Sequence, residues 1–407
     1  MSSKTSKPLL GNRKLIRGLN RSTVLNTILA KGAISRASLS QLIGLSPASI
    51  TSLTAELLEQ GLILETKQGE SSGGRRPTLL EINPGGGYVV GLKLTDQQII
   101  GALTDLSARV LSNQITTLEG SQPEQIVEKI AETVTALLKK ARVPRKKLRG
   151  VGLGLAGVVD AQNGVSRQHP FFGWRDVPLG AMLQDQLKTL VHIDNDVKAL
   201  TMAELLYGAG QGVSEFLTVT IGRGIGLGIV VGGQLYRGSH GGSGEFGHIV
   251  VDPAGLLCSC GKRGCLETVA AEPALLLAGQ GAVEHGELDP FTSLDELINL
   301  AESGQSTAVK LFKDAGQVLG REIANLINIF NPELVIVSGE GTRIGDLIFT
   351  PMTAAIKEFA MSTLRNDTEV RVDPWGDDAW AVGAASLVLQ DFFASPINRW
   401  KSAVPDG

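Results

Sequence analysis

The sequence predicts an α/β protein of two parts: a small helix-turn-helix head with a β-hairpin wing, then a larger body of two α/β lobes. Three observations predict it. Charge is divided between the parts, the first eighty residues hold three short helical patterns followed by two strands, and the rest repeats one strand-and-helix pattern twice. With 407 residues the chain exceeds one ordinary core. At 43% hydrophobic and 19% charged residues it has the composition of a globular protein, which excludes wholesale disorder. No run of about 20 apolar residues exists to span a membrane. The first twenty residues lack an apolar signal core, so the expected location is the cytoplasm.

The division of charge comes first. Residues 1–80 hold eleven Lys or Arg against four Glu, whereas the remainder holds 27 basic against 37 acidic residues. A basic first fifth on an acidic body points to a segment that meets a polyanion. Leu15, Ile16, Leu19, Val24, Leu25, Ile28 and Leu29 have helical spacing, and Gly32 stands in the stop position. Ser35 caps a short helix from Arg36 to Ile43 that Gly44 ends. Ser46 then caps a second helix, with Pro47 at its first position. Ile50, Leu53, Leu57 and Leu58 form that helix's buried stripe. Its other face shows Ala48, Ser49, Thr51 and Ser52, side chains small enough to lie close to base edges and phosphates. Two strand-like runs follow, 62–65 and 78–82, joined by a Gly-rich turn that carries Arg75 and Arg76. Adjacent arginines on such a tip suit a minor groove or phosphate contact. The candidate DNA contacts are therefore Arg36, Pro47, Ala48, Ser49, Thr51, Ser52, Arg75 and Arg76, on a double-stranded operator. Operators of this kind are usually paired half-sites, which implies a homodimer or homotetramer. A three-helix protein-interaction module is the alternative reading of the same pattern.

The body begins after the turn at 83–87. Residues 88–94, 99–105 and 110–116 read as three strands, followed by a helix over 122–141, strands at 148–155 and 191–193, and a helix over 196–207. The order recurs: strands at 216–221, 226–231 and 234–236, then helices and strands that include 334–337 and 369–372. A duplicated α/β unit places a ligand in the cleft between its copies. The expected division is 1–82 for the head, 83–194 for the first lobe, completed by a C-terminal helix over 378–393, and 195–377 for the second lobe. Gly152, Gly154 and Gly157 match G-x-G-x-x-G, but a helix does not follow, which excludes a dinucleotide site. The stretch 221–233, IGRGIGLGIVVGG, reads as a hairpin turn that can approach a phosphate or another backbone.

All three cysteines lie within eight positions, at 258, 260 and 265, close to His248. An odd number so clustered argues against a disulfide framework and for a metal. One imidazole and three thiolates are the ligand set of a closed tetrahedral zinc site, structural because no position stays open. Three buried thiols and a core histidine are the bland alternative.

The motifs GEFGH at 244–248, CSCGKRGCLE at 258–267 and NDVKA at 195–199 resemble those of the ROK family of sugar kinases and sugar-responsive repressors. The resemblance covers nearly the whole chain and implies an actin-like, ribonuclease-H-like sugar-kinase fold behind a winged helix-turn-helix. It implies sugar contacts at Asn195, Asp196, Glu245, His248 and Glu267, with Asp196 at the position of the kinases' catalytic base and His248 binding zinc with one nitrogen and sugar with the other. Two departures from the kinase pattern stand out. Where the kinases read D-x-G-G-T, this chain has Gly91-Leu92-Lys93-Leu94-Thr95, and Arg223 replaces the Thr favoured in the second phosphate loop. Both losses remove what nucleotide and magnesium binding needs. The expectation is a DNA-binding, sugar-controlled repressor of carbohydrate metabolism with no catalytic residue beyond a vestigial Asp196. An active sugar kinase with a fused head, and a regulator controlled by a partner protein, remain as alternatives.

Overall fold

The computed structural model describes residues 13–66, 77–374 and 379–393. The chain starts with α1 (Arg13–Lys31), β1 (Ile34–Ser35), α2 (Arg36–Ile43), α3 (Pro47–Glu59), β2 (Ile63–Thr66) and β3 (Leu79–Ile82). The caps form as their residues dictate. The Ser35 side chain accepts the Ser38 N–H and Gly44 ends α2 at φ 74°, while Ser46 accepts the Ser49 N–H ahead of Pro47. Thr54 joins Ile50, Leu53 and Leu57 on the buried side of α3, and Leu58 is half-buried. β1, absent from the sequence reading because it is two residues long, adds an antiparallel strand to the β2–β3 hairpin. Arg75 and Arg76 lie outside the described residues.

The body holds two five-stranded sheets of the same design. In the first, β4 (Tyr88–Leu94), β5 (Gln98–Asp105) and β6 (Val110–Thr117) form an antiparallel meander, and β7 (Leu148–Leu155) and β11 (Val191–Asn195) extend it in parallel beside β4. In the second, β12 (Phe216–Ile221), β13 (Ile225–Val231) and β14 (Gln234–Leu235) form the meander, and β15 (Leu334–Ser338) and β16 (Glu369–Val372) extend it beside β12. This is the repeat that the sequence pattern predicts. A third, smaller antiparallel sheet of β8 (Val158–Asp160), β9 (Val165–Gln168) and β10 (Arg175–Val177) juts from the first unit, unforeseen because its strands are only three or four residues long.

Helices α4 (Pro123–Lys140) and α5 (Leu179–Leu187) share a core with the first sheet. Around the second sheet lie α7 (Glu267–Ala270), α8 (Glu272–Glu284), α9 (Leu294–Glu302), α10 (Ser306–Phe330), α11 (Asp346–Phe359) and α12 (Ser362–Asp367). Two helices occupy the middle of the body: α6 (Asp196–Tyr207) and α13 (Ala379–Phe393). The strand glycines explain how closely they lie. A Cβ on Gly91 would stand 1.8 Å from the Ala381 carbonyl oxygen, and one on Gly152 would stand 1.7 Å from that of Ala384. Those glycines let α13 rest backbone to backbone on β4 and β7. Gly226 and Gly228 make room in the same way for the Val197 and Thr201 side chains of α6. The far end of α13 enters the head: Leu389 and Phe393 share one core with Leu25 and Ile28 of α1 and Leu80 of β3. Asn26 Nδ2 donates to the Phe393 carbonyl at 2.9 Å. Among the described residues no helix is long and apolar enough to cross a membrane.

Candidate functional site

The cleft between the two sheets has a volume of about 980 Å³ and is lined by residues of both. Its floor is the start of α6. Asn195 caps that helix: its Oδ1 accepts the N–H groups of Val197 and Lys198, at 3.0 and 3.3 Å, and its Nδ2 donates to the Gly157 carbonyl at 3.2 Å. The amide therefore keeps one N–H for a ligand. Asp196 follows in the first turn, with Oδ1 accepting the Val197 N–H at 3.0 Å. Burial raises the pKa of Asp196, and the nearby Lys93 cation opposes the shift. Beneath them lies a charged layer that the sequence reading missed. Asp194, fully buried, binds Arg237 Nε at 2.7 Å. Lys198, 1% exposed, donates to the Gly241 carbonyl. Together they tie the segment 237–245, which carries Glu245, to β11 and α6.

The opposite wall is built by irregular backbone. Glu245, His248 and Glu267 converge there, with His248 Nε2 3.9 Å from Glu245 and His248 Nδ1 3.3 Å from Glu267. The crowded cleft raises the pKa of Glu245 by desolvation, against the pull of His248 and Lys198. One ring nitrogen of His248 and the sulfurs of Cys258, Cys260 and Cys265 all lie within 4.8 Å of one another. A tetrahedral ion with bonds of about 2.0–2.3 Å requires ligand atoms roughly 3.3–3.8 Å apart. The Cys258–His248 separation of 3.5 Å and the Cys260–Cys265 separation of 3.6 Å meet that requirement. The four residues can hold a metal ion. Gly261 and Gly264 take φ of 88° and 64°, so the chain can turn tightly enough to bring three sulfurs together. Without metal, burial and the Glu267 carboxylate push the Cys258 thiol up to about 12.

The third part of the cleft is crossed by two ion pairs. Lys93, on β4, reaches across to Glu340, just after β15, with Nζ 3.2 Å from Oε1 and 3.5 Å from the centre of the Trp380 ring. Arg223, in the β12–β13 turn, grips Asp96 with both terminal nitrogens, at 2.7 and 3.2 Å. The two residues that the sequence marks as losses thus form two ion pairs joining one sheet unit to the other. Their partners lie 247 and 127 positions away, which hides them from a linear reading.

A model of the ROK family matches residues 89–391. The chain belongs to the ROK family. A xylose repressor from Caldicellulosiruptor bescii is 31% identical to it over 396 residues, 95% of this chain and 99% of that one. The DNA-binding transcriptional dual regulator NagC of Escherichia coli is 31% identical over 384 residues, 93% of this chain and 94% of that one. Among solved structures, a ROK family transcriptional regulator, a homologue of the E. coli MLC protein, is similar with a TM-score of 0.82 and 28% identity over 96% of this chain and 100% of that one. A ROK family glucokinase from Streptomyces griseus, in complex with glucose and AMPPNP, is similar with a TM-score of 0.64 and 29% identity over 74% of this chain and 99% of that one.

On the head of this ROK protein, Pro47, Ala48, Thr51 and Ser52 are exposed and Ser49 is half-buried, so α3 presents the small-residue face that its sequence implies. Two hydroxyls there already have partners: Thr51 donates to the Pro47 carbonyl, and Ser52 accepts from Arg17. Arg36 points the other way. Its guanidinium binds Thr54 and Glu65, at 3.1 and 2.7 Å, and so joins α2 to α3 and β2.

Proposed function

We propose that this ROK protein is a cytoplasmic, sugar-responsive transcriptional repressor of carbohydrate metabolism genes. One observation carries the reading: α13 has Trp380 in the cleft at one end and Phe393 in the core of the head at the other. At about 1.5 Å rise per residue, its 15 residues form a rod of roughly 22 Å. A ligand that favours a different approach of the two lobes displaces this rod, and with it the head. It can do so only by its differential affinity for the two arrangements.

The names of the relatives support the reading, since xylose and N-acetylglucosamine repressors align along almost the whole chain. Asn195, Asp196, Glu245, His248 and Glu267 pair with the hydroxyls of a sugar, in keeping with the chemistry of amide, carboxylates and imidazole. The metal is zinc, held by His248, Cys258, Cys260 and Cys265. It fixes the loop that presents Glu245 and Glu267 and leaves His248 Nε2 for the sugar. The head, residues 1–82, is a winged helix-turn-helix that lays α3 into the major groove of an operator, with Arg75 and Arg76 at the wing. The protein acts as a homodimer or homotetramer on paired half-sites. The lobes are residues 83–194 with α13, and residues 195–377.

Phosphoryl transfer is lost on this reading. Lys93 and its partners fill the place where a kinase needs a close backbone approach and a metal-holding carboxylate. Retention of Asp196 favours the competing reading, a working kinase. Titration calorimetry of the zinc-loaded chain against pentoses, hexoses and N-acetylated sugars, with and without ATP and magnesium, separates them. The expected result is saturable heat with a sugar and no change on adding nucleotide. Continuous heat with sugar and ATP establishes a kinase instead.

A further inference from the structure

The cleft has an apolar lip that the sugar-pairing residues do not use. Phe171, Leu256, Leu257 and Leu277 line it and are 52%, 52%, 65% and 54% exposed. Large apolar side chains left open at the mouth of a polar pocket mark a surface that something covers. Phe171 comes from the first sheet's side and is flanked by Arg223 from the second, whose guanidinium carbon lies 5.3 Å from the ring centre.

Next to Phe171 stands a buried donor with nothing to bind. His169 is 1% exposed and packed among Phe172, Trp174 and Phe171, with ring centres 4.4, 5.3 and 6.0 Å away. Its Nδ1 accepts the Phe172 N–H at 3.3 Å, so the proton of the neutral ring sits on Nε2, which has no partner. Desolvation pulls the pKa of His169 down to about 4, so the ring is neutral near pH 7. Its Nε2 is sealed from the cleft by this packing, so the His169 ring serves as the backing against which Phe171 stands.

Both features adjoin the polar cluster. A Cβ on Gly157 would meet the Gln168 carbonyl at 2.1 Å and Pro170 at 2.9 Å, and the Gly157 carbonyl takes the Asn195 amide. The segment from Gln168 to Phe171 therefore extends the wall against which the first ring would lie. At about 980 Å³ the cleft also stands near the top of the ~300–1,000 Å³ range for drug-sized ligands, well above what one sugar ring needs.

We propose that the effector is a disaccharide: the polar cluster holds one ring, and the second ring stacks its apolar face on the exposed ring of Phe171. The proposal rests on the sugar-sensor reading. It is tested by calorimetry of the zinc-loaded full chain against xylose, glucose and N-acetylglucosamine and the 1,4-linked dimers of each. One dimer should bind at least tenfold more tightly than its monomer. Phe171→Ala should weaken that dimer at least tenfold more than the monomer. A thermal melt of Phe171→Ala confirms the fold. A monomer that binds as tightly as its dimers overturns the proposal and leaves the sensor reading standing, as does a Phe171→Ala loss shared equally by the two. Absence of saturable heat with every sugar overturns the sensor reading and this proposal together.

Discussion

The two sheet units share one topology, yet they hold their site residues by different means. Asn195 and Asp196 sit where β11 passes into α6, and their positions follow from strand register and a helix cap. Glu245, His248 and Glu267 sit on turns and short helices whose shape depends on the Cys/His cluster. The first unit is rigid because α13 lies backbone to backbone on Gly91 and Gly152. The second shapes its side of the cleft with a Cys/His cluster that can hold a metal ion. A site with one wall set by packing and one set by a cluster that can hold a metal can be disabled in two separate ways.

The largest expected effect breaks the packed wall. Gly152→Val sets a branched side chain where even a Cβ meets the Ala384 carbonyl at 1.7 Å, so α13 must move. Overpacking of this kind costs roughly 3 kcal/mol or more. Gly226→Ala, whose Cβ meets the Val197 side chain at 2.4 Å, should cost clearly less, because a side chain yields more readily than backbone. Chemical denaturation of both variants gives the comparison, and equal losses would show that the two units are packed alike.

Cys265→Ser addresses the other wall. Loss of a ligand should weaken sugar binding by about 100-fold, comparable with the upper end for disturbed metal surroundings. Hydrogen exchange should quicken across 244–267 and stay unchanged in α1 and β4. Even deprotection of both units would remove the distinction.

A smaller effect sharpens the comparison across the cleft. On the proposed reading Asp196 pairs with sugar hydroxyls, and its ionised form is the stronger acceptor, so affinity is greatest above its folded-state pKa and weakens as pH falls through it. Burial raises that pKa, and Lys93 holds it down. Lys93→Met should therefore move the acid limb of the affinity profile to higher pH. A profile that stays in place would mean that Lys93 serves its pair with Glu340 alone.

Much of this was legible in the chain. Serine caps, alternating strands and the grouping of every cysteine near His248 are local signals, and each forms as its residues imply. The glycines were legible only in part. Gly152 reads only as part of an excluded dinucleotide pattern, and the helix whose Ala384 carbonyl it admits is more than two hundred residues away. Lys93 and Arg223 read as missing phosphate contacts, whereas their gain, two ion pairs between the units, needs the fold. His169 belonged to no motif, and Lys198 stood inside NDVKA without a role of its own. Their meaning lies in burial, which a single sequence does not display.

The central claim is that occupancy of the cleft changes how the head binds DNA. Fluorescence anisotropy with an operator duplex selected from a random pool, titrated with and without the saturating sugar identified by calorimetry, tests it most directly. The account predicts that the sugar shifts operator affinity at least tenfold, about 1.4 kcal/mol of coupling, and that severing the Asn26–Phe393 contact by Asn26→Ala reduces the shift. An operator affinity unaltered by a sugar that demonstrably fills the cleft would contradict it.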